Sequence, residues 1–183
     1  MKTTIISALA LFLAFGASAQ DKYFTRDGYI KFYSSTPIED IEAENHKVTA
    51  ILDEATGKLE FSALIKSFEF EKALMEEHFN ENYMESNTFP KSTFKGEIVG
   101  FDASKASDKP MDVTVKGTLE MHGVSKEITE KGTVTKKDGK YILKSKMMVN
   151  PEDYKIEIPN TVREKIAKEL EVTIDVTLAI FKK

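Results

Sequence analysis

Apolar and polar residues alternate along most of this chain. Between Val113 and Met121, the residues Val113, Val115, Gly117, Leu119 and Met121 fall on one face. Thr114, Lys116, Thr118 and Glu120 fall on the other, which is the period of a half-buried strand. His122 continues the polar face, Gly123 interrupts the pattern, and alternation resumes over Val124 to Thr129, so the unit predicts a hairpin with one apolar face. The same period puts Ile30 and Phe32 together, then Val48, Ala50 and Leu52, then Leu59, Phe61, Ala63 and Ile65, then Phe94, Gly96 and Ile98. It returns in a short run over Lys131 to Thr135, in Tyr141, Leu143, Ser145, Met147 and Val149, and in Val172, Ile174, Val176, Leu178 and Ile180. About eight strands joined mostly by short turns predict an all-β, antiparallel barrel or sandwich rather than a βαβ fold.

Two segments depart from period two. Phe68 to Met84 starts strand-like and then spaces Leu74, Met75, His78, Phe79 and Met84 at mixed helical intervals, predicting helix in part of it. Thr161 to Leu170 carries a capping box, Thr161-Val-Arg-Glu164, and a stripe of Val162, Ile166 and Leu170, which predicts a second short helix. Asp102 to Pro110, small and polar, reads as a long surface loop.

The first residues have the composition of an address. Lys2 is followed by an apolar run from Ile5 to Phe15 and by Ala17-Ser18-Ala19, the pattern of a secretory leader cleaved after Ala19. That run is well short of the ~20 residues of a membrane-spanning helix. Residues 1–19 are therefore expected to be a signal peptide, and residues 20–183 a single domain that is periplasmic or secreted. The chain contains no Cys, so neither a disulfide nor a lipid-bearing N-terminal Cys enters the picture, and no stable membrane anchor is expected. Its formal net charge is −4, which argues against nucleic acid as a partner.

Motifs for covalent or metal chemistry are sparse. There is no Gly-x-Ser-x-Gly, and His46, His78 and His122 are far apart without nearby Ser partners, so no nucleophilic triad can be composed from spacing. Glu76, Glu77 and His78 adjoin, yet no His-x-x-x-His or Cys-based set accompanies them, and no metal or cofactor is expected. His122, beside Gly123, reads as a residue that fixes the turn by hydrogen bonding. A barrel of eight strands is either filled by its own side chains or able to hold one small ligand. The inward register contains bulky Phe32, Phe61, Phe94, Leu119, Tyr141, Met147 and Ile174 and also small Ala50, Ala63, Gly96, Gly117, Gly132 and Ser145, and small inward residues leave volume.

Three blocks together resemble the YceI-like family, exported β-barrel proteins that hold isoprenoid lipids. The first is the hairpin, with Gly117, Leu119, His122, Gly123, Val124 and Lys126; the second has His78, Phe79, Phe89, Pro90, Phe94 and Gly96; the third has Asp153, Tyr154 and Ile156. The start of the mature chain, from Asp21 to Pro37, is more charged than the Phe-rich start associated with lipid-carrying members. The resemblance implies an eight-stranded antiparallel lipocalin-like barrel with one or two short helices. It implies a non-enzymatic protein that binds a long apolar lipid of polyisoprenoid type. The cavity expected on this basis is lined by Phe32, Ala50, Phe61, Ala63, Phe79, Phe94, Val115, Gly117, Leu119, Tyr141, Met147 and Ile174. Lys91, Lys126 and Arg163, cations near barrel ends, are the candidates for meeting a head group. A filled barrel serving as an interaction or stress-related protein and an enzyme acting on a hydrophobic substrate remain open alternatives, and an exposed edge or mouth admits a homodimer.

Overall fold

The computed structural model describes residues 21–181, so the expected leader lies outside the described residues. The strands are β1 (Lys22–Ser35), β2 (Asp40–Asp53), β3 (Lys58–Leu64), β4 (Glu69–Phe70), β5 (Lys91–Ile98), β6 (Met111–Met121), β7 (Val124–Lys137), β8 (Lys140–Val149) and β9 (Leu170–Ile180). Eight of them form an antiparallel ring in the order β1-β9-β8-β7-β6-β5-β3-β2, closed by pairing of β2 with β1. Closure satisfies strand edges that would otherwise be open. β4 adds only two residues to β2, opposite Ala43 and Glu44. This is the lipocalin-like all-β barrel that the family resemblance implied, and of the barrel and sandwich left open by the alternation it is the barrel.

Register explains why the chain closes this way. Cross-strand partners share a face, and apolar partners meet inside: Phe61 with Phe94, Phe94 with Leu119, and Met147 with Val172. The runs predicted separately over Val124 to Thr129 and Lys131 to Thr135 are one strand, β7, whose alternation is continuous through Glu130. Near its start β1 is irregular on both sides of Gly28, which bends the strand around the ring.

The two ends of the barrel differ. One is packed solid by Tyr23, Leu52, Val134, Tyr141, Val176 and Leu178, and it forms a floor. Glu54 seals that floor from outside, accepting hydrogen bonds from Lys136 Nζ at 2.6 Å and Tyr141 Oη at 2.7 Å. Burial works to raise the Glu54 carboxyl, but the bonds from Lys136 and Tyr141 together hold it below the usual carboxylate range. Burial and the nearby Glu54 charge push the Tyr141 hydroxyl well up, so it stays a donor.

The other end is covered by two segments. α1 (Ala73–His78) is the predicted helix, and it widens over Phe79–Tyr83 into a π-helical turn with Met84 N–H donating to Phe79 O at 2.8 Å. The helix expected over Thr161 to Leu170 does not form. Only Arg163–Lys165 makes a single 3-10 turn, no side chain caps it, and Leu170 already belongs to β9 opposite Val149. So short a helix is marginal on its own. External ties win instead: Ala167 N–H donates to Ser34 Oγ at 2.9 Å, and Arg163 is ion-paired with Glu152. The segment is an irregular strap.

Candidate functional site

Between floor and cover lies a cavity of about 590 Å³. That is within the ~300–1,000 Å³ of small-molecule sites. Its inner end stops on Leu59, Ile98, Val134 and Leu143 of the floor, with Glu130 in the same cross-strand row as Ile98 and Val115. Toward the cover it passes an aromatic group in which Phe32 stacks on Phe79 with centroids 5.4 Å apart and meets Phe68 and Phe70 at 5.7 Å. Met75, Met84, Met121 and Met147 add soft, unbranched wall. The lining also includes the polar groups Glu39, Lys72, His78 and Lys165, with Lys72 Nζ 3.5 Å from Glu39.

Of the expected lining residues, Phe32, Phe61, Ala63, Phe79, Phe94, Val115, Leu119, Met147 and Ile174 surround this one cavity. Ala50 and Tyr141 point inward but are fully buried in the floor, below the open volume. Gly117 supplies no space either. A Cβ built on it would lie 2.3 Å from Lys95 O and 2.5 Å from Gly96 Cα, and the tip of Phe94 covers it. Its lack of a side chain serves a close approach of β5 to β6. Lys91, Lys126 and Arg163 are not brought together at the cavity. Lys91 is exposed at the start of β5, Lys126 pairs with Asp153 at 3.1 Å, and Arg163 pairs with Glu152. Both ion pairs hold the 3-10 turn Pro151–Tyr154, which follows β8.

Sequence reasoning missed several lining residues. Val162 and Ile166 of the strap and Leu170 at the start of β9 face the cavity, so their apolar spacing was meaningful although the element was not helical. Glu130 also lines the wall, opposite Val115 in register, and continuous alternation from Val124 through Gly132 would have placed it there. Among the described residues, no group of three His, Cys, Asp or Glu side chains is placed to hold a metal ion.

The domain model of the YceI-like family matches residues 28–178. The chain belongs to the YceI-like family. Solved structures agree on the fold. A polyisoprenoid-binding domain from Saccharophagus degradans, implicated in plant cell wall breakdown, superposes with a TM-score of 0.76 at 15% identity, covering 88% of this chain and 99% of that one. Burkholderia cenocepacia BcnA gives 0.69 at 16% identity, over 83% and 96% of the two chains. A Campylobacter jejuni YceI protein gives 0.57 at 17% identity, over 100% and 91%. A comparison with curated proteins finds no match.

In this YceI-like barrel the three sequence blocks converge on one spot beside the cavity. His122, at φ 50°, turns its ring onto Phe89 at 4.5 Å, with Nδ1 3.2 Å from Tyr154 O and Nε2 3.1 Å from a Glu85 carboxylate oxygen. Lys126 lies over the Tyr154 ring at 5.7 Å. The YceI-like motif residues thus fasten the segment after α1 and the turn after β8 to the β6–β7 hairpin. They act as a latch. Burial raises the Tyr154 hydroxyl, and the charges of Asp153 and Glu130 raise it further, so it remains protonated.

Proposed function

We propose that this chain is an exported binding protein that holds a long apolar molecule of polyisoprenoid type, without covalent change, in the barrel cavity. The observation that carries the reading is the largely hydrocarbon-lined volume of about 590 Å³ between the floor and the aromatic group. Each buried CH₂ contributes roughly 0.8 kcal/mol, so a chain of a few isoprene units gains enough to bind without a strong polar anchor. The similarity to the Saccharophagus degradans polyisoprenoid-binding domain supports the ligand class. A leader ending at Ala19 would place one barrel domain in the periplasm or outside the cell. Among the described residues no helix is long and apolar enough to cross a membrane.

Native mass spectrometry of protein purified without detergent tests the reading, because a retained apolar ligand adds a defined mass. The companion variant is Ala63→Phe, which projects a ring into the cavity from a buried wall position. Uptake of a fluorescent isoprenoid should fall by about tenfold or more. Overpacking should cost only about 1–3 kcal/mol of stability. A variant that melts like the parent and binds equally well would show that the ligand lies elsewhere.

A further inference from the structure

The ring of strands is not continuous along its full height. β7 pairs with β6 throughout, but its pairing with β8 runs only from Lys137–Lys140 to Gly132–Ser145. Beyond that point Val124 to Lys131 has no strand on its β8 side, and Tyr154 and Ile156 are buried in the divergence. The cavity reaches the wall where the strands part. Its lining includes Thr133 and Lys144, whose side chains are on the outward face, beside inward Glu130 and Ser145.

Glu130 is an unusual residue for such a wall. It faces inward between Ile128 and Gly132 and opposite Val115, yet among the described residues it has neither an ion pair nor a side-chain hydrogen bond. Three nearby basic side chains are ion-paired elsewhere: Lys126 with Asp153 at 3.1 Å, Lys144 with Asp175 at 2.8 Å and Lys146 with Glu171 at 2.7 Å. The Ser145 hydroxyl donates to Lys131 O at 2.6 Å, which leaves only its lone pairs toward the cavity. Glu130 is thus the carboxylate that this part of the wall leaves unpaired among the described residues, beside the Thr133 hydroxyl, which can both donate and accept.

We infer that Glu130 selects the polar end of the ligand, favouring a head group that donates hydrogen bonds or carries positive charge and disfavouring a carboxylate or phosphate. The inference rests on the cavity reading above. A bound hydrocarbon strips water from the Glu130 carboxylate, which is costly unless the ligand returns a donor. An alcohol or ammonium at the β7–β8 divergence does so, with its chain extending toward the Phe32–Phe79 group. An anionic head group adds like-charge repulsion instead.

Three C20 isoprenoids with the same chain and different ends, the alcohol, the primary amine and the carboxylic acid, test this at neutral pH on the full-length mature protein. The parent should bind the amine and the alcohol about tenfold or more tighter than the acid. Glu130→Gln should bring the amine and acid within about threefold of each other. Glu130→Asp should retain the order, and melting curves should show both variants folded. Equal binding of all three by the parent, or an unchanged ratio in Glu130→Gln, overturns the role of Glu130 while leaving the cavity reading intact. If none of the three binds, the cavity reading falls and this inference falls with it.

Discussion

The ring of Phe89 occupies the place where a side chain at Gly123 would stand. A Cβ built on Gly123 would lie 2.6 Å from Phe89 Cε1, and the residue sits at φ +71°. Two independent demands thus require glycine there. Gly123→Ala should destabilise the protein by more than about 1 kcal/mol in urea unfolding. Adding Phe89→Ala to that variant should relieve the clash but not the backbone strain, so the double variant should lose less than the sum of the two single ones.

His122 stands between two acceptors, Tyr154 O and the Glu85 carboxylate, and a neutral imidazole can donate to only one of them at a time. His122→Ala should cost about 1–3 kcal/mol, because the part-buried Tyr154 carbonyl loses its partner. Hydrogen exchange should localise the effect. Amides of residues 85–89 and 151–156 should exchange faster, while those of β8 and β9 should keep their protection.

Removing the carboxylate beneath the floor should weaken the barrel in a pH-dependent way. The folded state holds Glu54 below the usual range, so its contribution is present above the unfolded value of about 4.3 and disappears as pH falls through the depressed folded value. Glu54→Gln should therefore be less stable than the parent at neutral pH by about 1–3 kcal/mol. Urea titrations near pH 3 should show the difference shrinking. A constant gap across that window would mean that the Lys136 and Tyr141 bonds do not depend on the charge.

Ala63 and Gly117 are both small and inward, but they should respond in opposite ways to enlargement. Gly117→Ala drives a methyl group against Lys95 O and Gly96 Cα, so it should lower the melting temperature by several degrees, on the order of 1–3 kcal/mol. Ligand uptake by the folded fraction should change little. Ala63→Phe should do the reverse, as its ring enters open volume.

The contrast between those two residues shows what alternation conveys. Parity states which side of the wall a residue faces, and it placed Phe61, Phe94, Leu119, Met147 and Ile174 inside the barrel. Parity is silent on height along the barrel, so Ala50 and Tyr141 could not be separated from their neighbours, although they belong to the solid floor. Nor does it reveal long-range pairing. Lys126 and Arg163 looked available to a ligand because Asp153 and Glu152, their partners, come close only when the turn after β8 folds back. The strap shows the same limit: Val162, Ile166 and Leu170 were correctly spaced to face inward, but the bond from Ala167 to Ser34 decides their backbone path.

Phe181 N–H donates to Lys22 O at 2.7 Å, and Tyr23 and Leu178 both belong to the floor. The first and last strands therefore leave the barrel at its sealed pole, opposite the helix and strap. A tether fused to either end would hold the molecule by its back, with the helix-and-strap end pointing away from the support. Immobilisation on a sensor surface through a terminal tag should leave α1 and the strap free of the support, whereas attachment through α1 would press that end against it.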